Sequence, residues 1–562
     1  MVSNKLYGPA FFIFHFSFFI FLCTSCKFRQ KAELIIHHAK IYTVDEKFSV
    51  AEAMAINDGK IIAIGTNDEI LKQYESDSIT DAGGKAVFPG FNDAHAHFVG
   101  YGMSLLTVNL VDTKSWDEVV EKCSAFAKNL PAGAWLTGRG WDQNDWAVKE
   151  FPDNTKLNEL FPDRPVIITR IDGHAALANQ KALELAGVKP GDKLTGGDIV
   201  VANARPDDPF GRGKLTGLLI DNAVDLVSAK IPAADLAQAK KALLMAQENC
   251  FAVGLTSLHD CGLDFGTVEK IEALQKSGEL KMRMNIMLSD AAENYDYAFK
   301  RGKIKTDYLN VSSFKVYADG ALGSRGASLL QPYSDKPEWS GFLLSAPAHF
   351  DSVANIIYAK GWQMCTHAIG DSGNRTILKI YAKYLKGKND LRWRIEHAQV
   401  VNENNFKLFG ENSIIPSVQP THGTSDMYWA ADRLGPVRVK GAYAYQQLLK
   451  ENNWIPLGTD FPVEDISPFK TFFAAVVRQD AKGFPAGGYQ VENALTREET
   501  LRGMTIWAAK ASFEEKQKGS LEKGKFADFI MLDTDVMSCE EAAILKTKVL
   551  ATYSAGKKVY GK

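Results

Sequence analysis

The chain lacks an excess of charge of either sign. Its 65 Lys and Arg stand against 67 Asp and Glu, a formal net charge of −2, so there is no basic field with which to hold nucleic acid. Cysteine is sparse, with seven residues in 562, and the five that lie beyond residue 26 include no Cys-x-x-Cys pair. That excludes a structural zinc held by thiolates and a small disulfide-stapled fold. No repeat recurs at a solenoid period. The apolar run at 10–22, broken by His15 and Ser17, is shorter than the roughly 20 residues that a bilayer-spanning helix needs. What remains is a globular composition, 46% apolar and 23% charged with 45 Gly and 32 Phe. It fits a large α/β enzyme of two to four domains.

The first 25 residues read as an export signal, with Lys5 as the charge of its n-region and the 10–22 run as its apolar segment. It ends in Leu22-Cys23-Thr24-Ser25-Cys26, which resembles a bacterial lipobox with Cys26 as the lipidated N-terminus of the mature chain. Cys23 stands where Leu is usual, so an ordinary cleaved signal or an N-terminal anchor is the alternative. The expectation is a periplasmic, membrane-anchored lipoprotein. The other cysteines, Cys123, Cys250, Cys261, Cys365 and Cys539, are scattered and expected to be mostly buried free thiols.

Residues 26–87 read as short strands, with an Asn57-Asp58-Gly59 hairpin turn between alternating apolar runs. Residues 501–562 have the same character after a helix. The two ends together predict one composite β-sandwich. Between them, 88–500 alternates strands with helices. Strands are expected at 86–97, 255–260, 283–288, 311–318, 363–368, 394–398, 414–419 and 455–460. Eight of them predict a (β/α)8 TIM-type barrel. The stretch 102–235 does not fit that count and reads as an inserted subdomain after the first strand. Its Trp135, Trp141 and Trp146 either pack its core or line a pocket.

The chemistry sits at the expected C-terminal strand ends, where such barrels build their active sites. His95 and His97 are two apart on the first strand and project the same way, so both reach one metal ion. His367, His397 and Asp460 end three later strands, although the whole chain has only 11 His. On the fourth strand, Phe314 and Val316 face the helices, which turns Lys315 into the barrel. An unpaired ammonium there is costly. Two readings stay open for it: an amine paired with an acid such as Asp319 or donating to substrate, or a lysine carbamylated to bridge two metal ions.

The order His-x-His, Lys, His, His, Asp resembles the amidohydrolase superfamily. Phe88-Pro89-Gly90-Phe91-Asn92-Asp93, Asp172-Gly173-His174, Tyr317-Ala318-Asp319-Gly320-Ala321-Leu322-Gly323-Ser324-Arg325, Thr366-His367-Ala368-Ile369-Gly370-Asp371, Arg394-Ile395-Glu396-His397-Ala398 and Gln419-Pro420-Thr421-His422 are similar to the third amidohydrolase domain family. That branch includes N-substituted formamide deformylases. The resemblance spans about 32–562 and implies the composite fold and a metal set of His95, His97, Lys315, His367, His397 and Asp460. One or two divalent ions are expected, Zn²⁺ by default, with Asp460 as the base toward water and then the acid toward the leaving amine. His174, His422 and Arg325 are candidate donors to the oxyanion. Each has a structural alternative: His174 capping a helix near Ala175, His422 orienting a loop, Arg325 pairing with Asp319 or Glu396. Asp371 reads as a helix cap. The substrate expected is a small molecule with an amide or N-formyl bond. A cyclic amide, a carbamate or an ester is the enzymatic alternative, and a non-catalytic binding lipoprotein is the other. The partners expected are that substrate, a lipid anchor and a second copy in a homodimer, with no nucleic acid.

Overall fold

The computed structural model describes residues 1–6, 8, 29–202 and 213–561. The apolar run at 10–22 and Cys26 lie outside the described residues. Seven parallel strands form a nearly closed barrel in chain order: Phe91–Ala96, Leu255–Leu263, Arg283–Ser289, Leu309–Tyr317, Gln363–Ala368, Arg394–His397 and Ile415–Ser417. The chain at 455–460 crosses the gap between the seventh and the first. Leu457 bridges to Val418 in parallel sense, Ala94 N donates to Leu457 O at 3.1 Å, and Asp460 N donates to His95 O at 2.8 Å. The segment presses closely on the first strand without forming a regular ladder. A Cβ on Gly458 would lie 2.5 Å from His95 N, so only glycine fits there.

Side-chain parity follows the sequence pattern. Phe314 and Val316 join the large apolar core under the helices, while Lys315 is fully buried inside the barrel. The expected strand at 86–97 breaks at Gly90 into two: Ala86–Pro89 belongs to a terminal sheet and Phe91–Ala96 to the barrel. That terminal sheet has six strands, Lys557–Tyr560, Val549–Ser554, Phe529–Leu532, Ala86–Pro89, Lys40–Tyr42 and Val50–Ala51 in spatial order. A four-stranded sheet lies beside it and contains the hairpin Ala53–Asn57 and Lys60–Gly65. Asp58 and Gly59 turn this hairpin with φ of 47° and 70°, the paired positive values of a type I′ turn. Ile36 and Ile56 from one sheet and Phe529 and Tyr553 from the other share a single apolar cluster.

Between the first and second barrel strands the chain builds another six-stranded sheet, ordered Val108–Asn109, Leu136–Trp141, Val166–Arg170, Ala175–Ala178, Lys214–Asp221 and Gly197–Ala202. Alternation divides its side chains between two cores. Val166, Ile168, Leu177 and Leu218 enter one, and Ile167, Ala176, Ala178 and Leu219 the other. Trp141 and Trp146 are buried in the first and Trp135 packs on the second, so the tryptophans serve these cores. Cys123, Cys250, Cys261 and Cys365 are buried free thiols, and Cys539 is a half-buried one. No helix among the described residues is long and apolar enough to cross a membrane.

Candidate metal centre

Asp460 stands in a ring of imidazoles. Its Oδ1 lies 3.3 Å from His97 Nε2 and 3.6 Å from His95 Nε2, and its Oδ2 lies 3.3 Å from His422 Nε2 and 3.9 Å from His397 Nδ1. The ring of His367 is 4.6 Å from that of His397, which is itself 4.6 Å from that of His95. Lys315 Nζ sits 3.4 Å from His95 Nε2. All six expected ligands therefore converge at the C-terminal ends of the strands. His397 and Asp460 reach the centre through left-handed backbone, with φ of 72° and 64°. Such non-glycine strain, of order 1–3 kcal/mol each, collects at functional sites.

The rings are held from behind. His95 Nδ1 donates to Glu396 Oε2 at 2.6 Å, which leaves Nε2 facing the centre. His397 Nδ1 donates to Gln419 Oε1 at 2.7 Å. Glu396 is in turn clamped by Arg394, whose Nη2 donates at 2.9 Å and whose Nε lies 2.7 Å from Oε1. A carboxylate behind an imidazole fixes its tautomer and raises its basicity toward a metal.

Burial sets the charge states. It pushes His95 down to about 4, with Lys315 adding to the effect. It also holds His367 and His397 well below the ordinary histidine range, helped by the neighbouring histidines. Burial alone would raise Asp460, but the imidazoles of His95, His422 and His97 around it hold its carboxyl well below the usual range. For His422 burial opposes protonation, yet Asp460 lifts it to about 9. Burial also disfavours the Lys315 ammonium, while Tyr317, Cys261, Glu396 and Asp460 together raise its pKa.

These residues fit a divalent cation. His367 Nε2 and Asp460 Oδ1 are buried without a hydrogen-bond partner. His95, His97 and Asp460, and likewise His397, His422 and Asp460, bring ligand atoms within 4.8 Å of one another. Imidazole and carboxylate are the donor set of zinc and its first-row neighbours. Cys261 lies equally close to His95 and Glu396, but burial raises its thiol well above the usual range and its Sγ contacts His259 O at 3.7 Å.

The centre opens into a cavity of about 670 Å³ lined by His97, His174, His367, His397, His422 and Asp460 among others. His174 caps no helix, since Ala175–Ala178 is a strand. Its Nδ1 donates to Asp221 Oδ1 at 2.5 Å, and its ring lies 5.1 Å from that of His367. His422 is in the helix Pro420–Asp426 that follows the seventh strand. Arg325 is not brought into the cavity. Its backbone turns through φ 63°, and it pairs with Asp335 at 2.9 Å rather than with Asp319 or Glu396. Asp319 instead accepts the backbone N–H groups of Ser328, Ile369 and Gly370. Asp371 follows the cap residue Gly370 as the first residue of the helix Asp371–Leu385, and its Oδ1 accepts Leu330 N at 2.9 Å.

The sequence reading did not assign Glu396, Gln419 or Asp221 a role at the site. Glu396 carried a signal, since it shares strand parity with Arg394, and two opposite charges on one inward face ask for a partner. Asp221 carried none: it meets His174 only because two strands of the 102–235 segment pair.

A parallel barrel with an imidazole–carboxylate cluster at its C-terminal strand ends defines a metal-dependent hydrolase. Residues 78–560 match the family model described as the amidohydrolase family, and the chain belongs to that family. It is an enzyme that hydrolyses carbon–nitrogen bonds. Among its relatives, Protein LONG AFTER FAR-RED 3 of Arabidopsis thaliana is 32% identical, over 94% of this chain and 92% of that protein. The N-substituted formamide deformylase of Arthrobacter pascens is 24% identical, over 94% and 98%. An uncharacterized metal-dependent hydrolase from Pyrococcus horikoshii superposes with a TM-score of 0.72 at 27% identity, covering 90% of this chain and 99% of that one.

Proposed function

We propose that the enzyme cleaves a non-peptide amide bond of a small molecule, with N-substituted formamides as the leading class, and that Zn²⁺ is its metal. The observation that carries this is the Asp460 carboxylate, ringed by four imidazoles with one oxygen unpartnered, lining a cavity large enough for a small amide. The likeness to a formamide deformylase over nearly the whole chain supports the bond type.

His95, His97, Lys315, His367, His397 and Asp460 would hold the metal. A bound divalent ion lowers the pKa of water and polarises the amide carbonyl. Asp460 takes the proton of the attacking water and returns it to the leaving nitrogen, a role its central position among the imidazoles suits. Glu396 and Gln419 keep the His95 and His397 rings fixed. His174, backed by Asp221, and His422 line the cavity and are read as the donors to the developing oxyanion. Lys315, as a carbamate, would offer a carboxylate to the metal in place of an ammonium. Loss of its proton precedes that step, because the neutral amine is the form that adds carbon dioxide.

We read 102–235 as an inserted unit, the terminal sheets as one sandwich, and the N-terminus as a lipoprotein signal that places the enzyme in the periplasm. The direct test is a screen of zinc-loaded enzyme against N-formyl amines, N-acyl amines and cyclic amides. Turnover of formamides is expected. Turnover confined to cyclic amides or esters would overturn the proposed bond, and a protein that takes up no zinc and turns over none of these compounds would favour a binding protein.

A further inference from the structure

Two arginines from the 102–235 sheet line the cavity, and the fold treats them differently. Arg170 is saturated. Its Nη1 meets Asp172 Oδ2 at 2.5 Å, its Nη2 meets Asp142, and its Nε donates to Gln143 Oε1 at 2.9 Å. Arg139, on the adjacent strand, has no carboxylate within 4 Å among the described residues. Its Nη2 donates to Ile171 O at 2.8 Å, and its Nε is buried without a partner. A guanidinium offers five N–H donors, and most of these remain unspent. The other charged groups of the lining are occupied or solvated: Lys470 pairs with Asp465, Asp426 accepts Tyr443 Oη, Glu464 accepts Ser425 Oγ, and Asp112 and Asp145 are exposed.

The placement of Arg139 is built rather than incidental. Its guanidinium lies against Gly173, where an added Cβ would sit 3.2 Å from Nη2 and 3.3 Å from Nη1, and where φ is +77°. Glycine at that position keeps the plane of the guanidinium beside the residue that precedes His174. His174 reaches the His367 ring, so the unpaired cation stands next to the catalytic cluster but outside it. Arginine matches a carboxylate through two parallel N–H donors, and Arg139, half-buried at the cavity wall, keeps such donors free for an anion that enters it.

We propose that Arg139 is a carboxylate-binding subsite, and that the amide hydrolysed carries a carboxylate on one of its halves, as N-formyl and N-acyl amino acids do. This rests on the proposed amide hydrolysis. The test compares N-formylphenylalanine with N-formyl-2-phenylethylamine, which lacks the carboxylate, on zinc-loaded enzyme. Wild type is expected to prefer the acid in kcat/KM by roughly 10- to 100-fold, the worth of a charge-assisted hydrogen-bonded pair. In Arg139→Met, checked for native circular dichroism, the ratio falls toward one. In Arg139→Lys, which keeps charge but loses the fork, part of the preference survives. Equal kcat/KM for both compounds in wild type, or an unchanged ratio in folded Arg139→Met, overturns the subsite. If Arg139→Met does not fold, the wild-type ratio and Arg139→Lys decide in the same way. If neither formamide is turned over, the proposed bond fails on its own, and calorimetry with 3-phenylpropanoate decides the subsite. Binding to wild type that is roughly 10-fold tighter than to either variant upholds it, and equal binding overturns it.

Discussion

Glu396→Gln tests whether the groups behind the ligands set the metal centre. The carboxylate is fully buried and serves two cations or potential cations at once. It accepts His95 Nδ1 at 2.6 Å and is clamped by Arg394 at 2.7 and 2.9 Å. Arg394 also donates to Ala94 O at 2.6 Å and Ser417 Oγ at 2.8 Å, and its Nη1 lies 2.8 Å from His259 Nδ1. Glutamine keeps the shape and removes the charge. The guanidinium then stays buried against neutral partners, and loss of one member of such a pair costs about 3–5 kcal/mol. The surviving hydrogen bonds place the expected loss at the low end, near 3 kcal/mol. The His95 tautomer is no longer dictated, and zinc affinity should fall about 10- to 100-fold. Urea unfolding of the metal-free protein reads the first effect, and zinc competition against a chelator the second. Zinc affinity within about twofold of wild type would refute the reasoning, because it would mean that the Glu396–His95 bond does not orient the ligand. An unchanged unfolding midpoint would show that the Arg394 charge is balanced elsewhere.

Asp460→Asn should lower kcat by about 10²–10⁴ with metal content near that of wild type; activity within a few-fold, read by the same formamide assay, would remove Asp460 from proton transfer. Lys315→Ala should lose at least one metal ion by elemental analysis and regain some activity when acetate or propionate is added with metal. Intact mass of active, fully metallated wild type showing a bare amine at Lys315 would defeat the carbamate and leave a one-metal site. Cys26→Ser should abolish lipid attachment; a mature N-terminus that mass spectrometry finds unmodified and beginning elsewhere would reject the lipobox. Stable anchoring would also need more than one acyl chain, since a single chain binds a bilayer only marginally.

His95, His97 and Lys315 were legible from the period of two, and His367, His397 and Asp460 from their places at expected strand ends. His95 and His97 face inward together, and Lys315 faces inward because Phe314 and Val316 are claimed by the outer core. The hairpin at Asp58 and Gly59 and the shared terminal core follow from equally local signals. Illegible were the meetings that depend on distant pairing. Asp221 reaches His174 because Ala175–Ala178 pairs antiparallel with Lys214–Asp221. Arg139 reaches the cavity because its strand is the parallel neighbour of Val166–Arg170. Arg325 shows the opposite failure. It follows the lysine strand closely in sequence, yet the loop turns it to Asp335.

The strand ends themselves mark where the period ceases to apply. Arg394 and Glu396 face the barrel interior together, so alternation would send His397 to the outer face. It does not go there, because its φ is 72° and that of Ala398 is 44°. Asp460 turns inward in the same way at φ 64°. Period two holds only while the backbone stays in the β region, and at these two positions the chain leaves it. The departure lets consecutive residues serve one site: Glu396 holds a ring from behind while His397 supplies the next ring. Two inward polar residues in succession cannot both be accommodated by an extended strand, so the left-handed turn at His397 is what admits both it and Glu396 to the interior.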